Sequence, residues 1–313
     1  MKLQQLRYLR EIARRGLNLS EAAASLHTSQ PGISKQIRQL EDELGVDILV
    51  RHGKRIVDMT EPGRMILGIA ERILQDTENL RQVGRDFGAE GSGSFTIATT
   101  HTQARYVLPP VIARFSQRYP KVRLSLRQGS PKDMAQLVRS GEADLAIATE
   151  AAEFYDGLKL LPCSQWTRCV ITPLKHPLLR EKPLSIEAMA RHPIVTYDFA
   201  FTGESPIRRA FENKGITPNV VLTAIDADVI KAYVEMGLGI GILAKMAFDP
   251  ARDLGLRLID ASHLFEPSTT RLAVKPNAYL RGYAYDFIEL FAPHLKRAVV
   301  EAALKGEGSS YEL

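Results

Sequence analysis

The stretch that decides the fold is NLSEAAASLHTSQPGISKQIRQLEDEL, residues 18–44. Asn18 with Glu21 resembles a capping box at the start of a short helix, and Ser29 can cap a second helix after a brief turn. In the second helix, apolar side chains recur at steps of three and four and are predicted to face inward: Ile33, Ile37, Leu40 and Leu44. The pattern predicts two short helices around a tight turn.

The opposite side of the second helix carries amide, hydroxyl and cationic groups. Such groups read base edges and bind phosphates when a helix enters a DNA groove. An ordinary helical hairpin with a solvated polar face is the alternative. The helix-turn-helix interpretation predicts these DNA-contacting residues: Ser29, Gln30, Ser34, Lys35 and Arg38.

The charge distribution favours DNA binding. Residues 1–40 hold seven basic and two acidic side chains, whereas the rest of the chain holds 34 of each. The whole formal charge of +5 therefore lies in the segment that would meet a polyanion, as phosphate-dominated binding requires.

A basic turn follows the second helix. Arg51, Lys54 and Arg55 stand between two apolar runs, which predicts a small hairpin with a basic tip. Beside a recognition helix, such a hairpin is a wing that can reach the DNA backbone. A surface turn without function is the alternative.

Thr60 is predicted to open a long helix, which the linker residues 88–93 end. Apolar residues recur along it, and packing against its own domain is one explanation. Because little N-terminal sequence remains to cover the helix, we instead expect paired helices in a dimer. The predicted dimerisation residues are Ile66, Ile69, Ile73 and Leu80.

Length and composition indicate a globular chain of about two domains: 313 residues, 45% hydrophobic and 25% charged. The N-terminus lacks the apolar core and cleavage site of a signal peptide, and no long apolar run follows. We therefore expect a cytoplasmic protein without membrane contact. Cys163 and Cys169 have no clustered histidines, so structural thiols are expected and neither a metal site nor a cofactor is predicted.

Beyond residues 90–94, short apolar runs alternate with helical patterns, which predicts an α/β domain with parallel sheets. Helices are predicted over 107–118 and 131–140. The predicted strands are 95–99, 122–127, 144–148, 167–172, 194–197, 220–223 and 240–243.

Polar residues follow several predicted strands. In open α/β sheets a ligand binds at the carboxyl ends of the strands, and hydroxyls near helix N-termini suit a carboxylate or sulfate. Threonines that only cap helices are the alternative. The candidate ligand residues from this argument are Thr100, Thr102, Gln103, Thr149 and Thr202.

Several motifs together resemble the LysR-type transcriptional regulators and, more narrowly, their CysB branch, which is associated with sulfur assimilation and cysteine synthesis. The resemblance covers nearly the whole chain. It rests on TSQPGISKQIRQLEDELG (28–45), IATTHTQARY (97–106), QGSP (128–131), AIATE (146–150), FTG (201–203) and DADVIK (226–231).

The resemblance implies a winged helix-turn-helix DNA-binding domain, a long linker helix and a two-subdomain regulatory domain built like a periplasmic binding protein. It also implies a homodimer or homotetramer on double-stranded promoter DNA that works with RNA polymerase. The predicted boundaries are 1–59 for the DNA-binding domain, 60–93 for the linker helix and hinge, and 94–313 for the regulatory domain, with subdomain I at 94–164 and 267–295 and subdomain II at 165–266.

The resemblance places an effector pocket on the five candidate ligand residues and adds Trp166. It implies O-acetylserine or N-acetylserine as effector, with sulfate or thiosulfate as competing anions. Glu204 departs from the branch, where a basic residue is expected, so another small acid or anion is the alternative ligand.

Enzymatic function is not indicated. The run 237–242 is rich in glycine, but it leaves a helix and enters a strand, the reverse of a dinucleotide-binding fingerprint. Neither a nucleophile elbow nor a P-loop occurs in the sequence. A solute-binding module or an enzyme with a helical N-terminal extension is the alternative from a different class, and salt-dependent binding to a promoter fragment separates the two.

Overall fold

The computed structural model describes residues 1–53, 55–88, 92–149, 152–198, 200–201 and 205–306. Of the residues singled out above, Lys54, Thr202 and Glu204 lie outside these ranges, as does the side chain of Arg55. The chain forms two compact units, Met1–Gly88 with Asn277–Tyr279 and the remainder. Within the ranges given, no helix is long and apolar enough to cross a lipid bilayer.

The described residues of the first unit form four helices and one hairpin. Its helices are α1 (Leu3–Arg14), α2 (Leu19–Ser25), α3 (Gln30–Leu44) and α4 (Glu61–Gly88), and its strands are β1 (Leu49–His52) and β2 (Arg55–Met59).

Both predicted helix caps are present. The Asn18 side chain accepts hydrogen bonds from the backbone N–H groups of Ser20 and Glu21 at the start of α2. The Ser29 hydroxyl accepts from Gly32 N at 3.2 Å at the start of α3. Local side-chain chemistry therefore sets the two helix starts.

The apolar face of α3 forms the centre of the first core. Ile33, Ile37 and Leu40 are fully buried, as predicted. Leu44 was predicted to join them but is 40% exposed. It is the last helical residue, and Gly45 in the left-handed conformation ends the helix immediately beyond it.

The long helix α4 is covered by its own domain over its first half. α1 packs against it, so the expectation that too little N-terminal sequence remained was wrong. Ile66 and Ile73, predicted at a dimer face, pack against the core of the first unit. Ile69 and Leu80 are 47% and 72% exposed, so these two remain available to a partner.

Gly63 allows α4 to approach the hairpin closely. A Cβ at this position would lie 2.2 Å from the carbonyl oxygen of Ile48, whereas a Cβ at Gly68, on the same helix, meets open space. We expect Gly63→Ala to lower the free energy of unfolding by about 1–3 kcal/mol because the backbone must shift. Gly68→Ala should raise it by up to about 1 kcal/mol through helix propensity.

Chemical denaturation of the two variants beside the unchanged chain measures this difference. Equal effects of the two substitutions would contradict the close approach of α4 to Ile48.

In the second unit, the residues that the structure describes form two five-stranded sheets. The first lobe has the strand order β4-β3-β5-β12-β6 and the second lobe has the order β11-β7-β10-β8-β9. The first lobe's strands are β3 (Gly93–Thr99), β4 (Val122–Gln128), β5 (Leu145–Ala148), β6 (Lys159–Trp166) and β12 (Ser268–Val274). The second lobe's strands are β7 (Arg168–Pro173), β8 (Ile194–Tyr197), β9 (Val220–Ala224), β10 (Ile240–Ala244) and β11 (Leu256–Asp260).

Helices pack on these sheets, and the two predicted ones are present as α5 and α6. Cys163 and Cys169 are buried free thiols, and burial raises the pKa of each to about 12. The helices are α5 (Leu108–Arg118), α6 (Pro131–Ser140), α7 (Ile186–Met189), α8 (Pro206–Glu212), α9 (Ala227–Glu235), α10 (Gly282–Phe291) and α11 (Arg297–Lys305).

The sheets are mixed, whereas parallel sheets were predicted. Six of the predicted strands do pair in parallel: β3 pairs with β4 and β5, and β8 pairs with β9 and β10. However, β12 runs antiparallel to β5 and β6, and β7 runs antiparallel to β10 and β11. The chain passes between lobes twice, from β6 to β7 and from β11 to β12.

Candidate DNA-binding surface and effector site

The predicted recognition face of α3 lies at the surface. Ser29, Gln30, Lys35 and Arg38 are exposed and Ser34 is half-buried. The buried stripe on the other side fixes the rotation of the helix, so these polar groups point away from the core.

The hairpin is tied to α3 by a buried carboxylate that sequence reasoning missed. Glu41 is 6% exposed and accepts hydrogen bonds from the N–H groups of Ile48 and Leu49 at 2.9 and 3.1 Å. The Arg51 guanidinium donates to both Glu41 oxygens, at 2.7 and 3.2 Å. Arg51, predicted as a DNA contact, therefore also holds the hairpin in place.

In the second unit, the segment after β3 carries three candidate ligand residues. Thr100 Oγ1 accepts from the N–H of Gln103 at 3.4 Å. Gln103 begins a π-helical turn, Gln103–Val107, that leads into α5. Turns of this kind are frequent at functional sites because they redirect side chains within a helix.

Gln103 is buried with incomplete hydrogen bonding. Its side chain is 2% exposed, and Nε2 donates to Thr270 Oγ1 at 3.4 Å. Its Oε1, and the Oγ1 of neighbouring Thr99, have no hydrogen-bond partner among the residues that the structure describes. Buried polar atoms without partners cost stability, so a bound molecule is one explanation of their retention.

Thr102 faces the second lobe. Its Oγ1 lies 3.5 Å from the hydroxyl of Tyr197, the last residue of β8. The Tyr197 oxygen also accepts from Ala244 N at 3.4 Å. Burial raises the pKa of Tyr197 to about 12, so this hydroxyl is neutral and can donate. Tyr197 was missed, although the strand-end rule applies to it.

Trp166 ends β6 where the chain passes to the second lobe. The Arg168 guanidinium lies 4.7 Å from the centre of its ring. Arg168 also donates to Ser268 Oγ at 2.9 Å. Burial lowers the pKa of Arg168 to about 10, which leaves the group cationic at neutral pH. The buried Trp166 Nε1 has no hydrogen-bond partner within the described part of the chain.

The sheet register brings these residues toward one region. Trp166 pairs with Ser268 at the start of β12, and Thr270, two residues on, contacts Gln103. Thr149 directly follows β5, which lies between β3 and β12. Thr100, Thr102, Gln103 and Trp166 thus border the passage between the lobes.

Two family models match the chain. The bacterial regulatory helix-turn-helix family of LysR type matches residues 3–64, and the LysR substrate binding domain matches residues 88–296. The chain therefore belongs to the LysR family of transcriptional regulators.

Within the LysR family, the chain is most informatively compared with three regulators. The chain is 55% identical to the regulator CysB of Burkholderia cenocepacia over the whole length of both proteins. It is 54% identical to the regulator SsuR of the same organism, over 97% of this chain and 99% of that one. The crystal structure of the cofactor-binding domain of the Cbl regulator matches 69% of this chain and 94% of that domain, with 40% identity and a TM-score of 0.65.

Proposed function

We propose that this LysR-family regulator binds promoter DNA as a dimer or tetramer and controls sulfur-assimilation and cysteine-biosynthesis genes. Its effector in this proposal is O-acetylserine or N-acetylserine, with sulfate and thiosulfate as competitors, and RNA polymerase is its partner at the promoter. The identity to CysB over both full lengths supports the pathway.

The observation that carries the effector proposal is the set of buried atoms, beside the passage between the lobes, that have no hydrogen-bond partner among the described residues. Trp166 Nε1 requires an acceptor, and Gln103 Oε1 requires a donor. Acetylserine offers both, a carboxylate and an N–H group. Sulfate offers only acceptors at neutral pH, so it satisfies the indole but not the amide oxygen.

Electrostatics favour an anionic ligand at this place. The cationic guanidinium of Arg168 stacks on Trp166, and the hydroxyls of Thr100 and Thr102 lie on the segment that follows β3, with Thr102 Oγ1 3.5 Å from the hydroxyl of Tyr197. A carboxylate bound between them gains attraction from Arg168 and hydrogen bonds from neutral donors.

The only tryptophan of the chain gives a direct test of ligand binding. Full-length protein is titrated with O-acetylserine, N-acetylserine, sulfate, thiosulfate and glutamate, while Trp166 fluorescence is recorded. Glutamate is the control, because it keeps the carboxylate and ammonium groups of O-acetylserine but carries a second negative charge in place of the acetyl ester. The proposal predicts a saturable change with an acetylserine and none with glutamate. A folded protein that responds to none of the five compounds would contradict the effector.

We expect Arg38→Ala to weaken binding to a promoter fragment by about 1–3 kcal/mol, because the exposed guanidinium on α3 is proposed to contact a base or phosphate. Fluorescence anisotropy of labelled DNA measures the change. The control is Arg180→Ala, which removes the same charge from an exposed position of the second unit. Equal DNA affinities for the two variants would show that Arg38 does not contact the DNA.

A regulator that answers to a different small acid or anion is the second candidate. The identity to SsuR is nearly equal to that for CysB, so overall similarity does not separate the two relatives. A saturable response of Trp166 to sulfate but to neither acetylserine would favour this candidate.

A further inference from the structure

A cluster of charged and hydroxyl groups connects the two lobes beside the proposed effector residues. Three members lie on the segment that follows β3 in the first lobe, and three belong to the second lobe. We call it the Asp228 cluster; its members are His101, Arg105, Tyr106, Asp228, Lys231 and Asp253.

Asp228, in the first turn of α9, is the centre of the cluster. Its Oδ1 accepts a close hydrogen bond from the Tyr106 hydroxyl and lies 3.2 Å from Lys231 Nζ. Its Oδ2 lies 3.4 Å from His101 Nε2 and 3.5 Å from Arg105 Nε. One carboxylate thus contacts three side chains of the other lobe.

Lys231 holds the second-lobe side of the cluster rigid. Its side chain is 11% exposed, and Nζ lies 3.1 Å from both Ala247 O and Asp253 Oδ1. It also donates to the Tyr106 hydroxyl at 2.8 Å. The ring of Tyr106 packs against the core of the second lobe, so the contact is apolar as well as ionic.

The charges of the cluster balance locally. Burial acts to raise the pKa of Asp228, but hydrogen bonds from Tyr106 and Lys231 outweigh it, and the pKa lies below its usual value. Burial acts to lower the pKa of Lys231, but its bonds to Tyr106 and Asp253 leave it raised. Both groups are therefore ionised at neutral pH.

The position of His101 gives the cluster a consequence for the site. His101 lies between Thr100 and Thr102, the hydroxyl residues proposed to hold the effector. We propose that Asp228 is a positioning residue that latches this segment to the second lobe and so keeps the two lobes closed together. The role in effector binding rests on the proposed function, whereas the latch itself does not.

The test substitutes Asp228→Asn, which keeps the shape and removes the charge. Asp260→Asn is the matched control, because Asp260 forms its ion pair with Lys245, 3.1 Å away within the second lobe. Spin labels at Lys132→Cys in the first lobe and Asn213→Cys in the second, both exposed positions, report the distance between lobes. Cys163 and Cys169 are buried and should not react with the label.

Full-length labelled chains are diluted with unlabelled chain, so that distances within one chain dominate, and are measured without ligand. Asp228→Asn should broaden and lengthen the distance distribution, while Asp260→Asn should leave it unchanged. Affinity for the acetylserine that saturates Trp166 should fall roughly threefold to tenfold, as expected for a partly exposed charged contact.

Three outcomes of the distance measurement decide whether Asp228 acts as a latch. An unchanged distance distribution in Asp228→Asn would overturn the latch, whatever happens to affinity. A changed distribution in both variants would also overturn it, because any lost carboxylate would then have the same effect. A changed distribution in Asp228→Asn alone supports the latch even if acetylserine proves to be the wrong effector.

Discussion

Glu41→Ala is expected to lower the free energy of unfolding of the first unit by about 3 kcal/mol. The substitution leaves two backbone N–H groups, those of Ile48 and Leu49, without their acceptor, and each such loss costs about 1–3 kcal/mol when buried. It also removes the partner of Arg51, whose side chain is 23% exposed and can regain some hydration. The expected loss of stability therefore lies near the lower end of the range for two unsatisfied N–H groups.

Hydrogen exchange at Ile48 and Leu49, followed by mass spectrometry, locates the effect at the base of the hairpin. The control is Glu43→Ala on the same helix, which removes only an exposed ion pair with the N-terminal ammonium. This control should lower the free energy of unfolding by less than about 1 kcal/mol. Similar exchange rates in the two variants would contradict the role of Glu41. DNA affinity should fall with Glu41→Ala, because the wing is no longer held against α3.

Gln103→Leu is expected to have opposite effects on stability and binding. Leucine removes an Oε1 that has no hydrogen-bond partner in the described part of the chain from a position that is 2% exposed, so we expect the free energy of unfolding of the unliganded second unit to rise by about 1 kcal/mol. The weak contact of Nε2 with Thr270, at 3.4 Å, is lost and limits the gain. Affinity for the effector should fall at least about tenfold, because the ligand loses its hydrogen bonds to the amide.

Thermal unfolding with and without acetylserine measures both quantities in one series. The control is Gln117→Leu on α5, which makes the same chemical change at an exposed position. A destabilised Gln103→Leu that binds acetylserine normally would show that Gln103 serves the fold instead of the ligand.

The sequence was sufficient for features that depend on neighbours in the chain. Asn18 and Ser29 cap their helices as predicted, and the spacing of Ile33, Ile37 and Leu40 fixes the buried face of α3. Local hydrogen bonding and periodicity determine these features, and both are visible in a short window of sequence.

Features that depend on distant parts of the chain were missed. The strands β6, β11 and β12 were not predicted, and they bring antiparallel pairing into each sheet: β12 pairs with β5 and β6, and β11 pairs with β7. The packing of α1 on α4 was also missed, because an amphipathic stripe does not reveal which element covers it.

The candidate site shows the same division. Thr100, Thr102 and Gln103 follow a predicted strand, so the strand-end rule found them. Thr270 belongs to the site through the pairing of β12 with β6, and Arg168, on β7, through its hydrogen bond to Ser268. No local pattern specifies either contact. Trp166 came from family resemblance alone, and its contact with Arg168 required the structure.

Control of DNA binding by the effector is tested most directly by measuring DNA affinity and effector binding on the same full-length protein. Labelled promoter DNA from upstream of a cysteine-biosynthesis gene is titrated at fixed salt, with and without the acetylserine that saturates Trp166 fluorescence. We expect the DNA dissociation constant to shift by about fivefold or more, a typical coupling between two sites. A dissociation constant that stays the same while Trp166 shows saturation would contradict the claim that the effector site controls DNA binding.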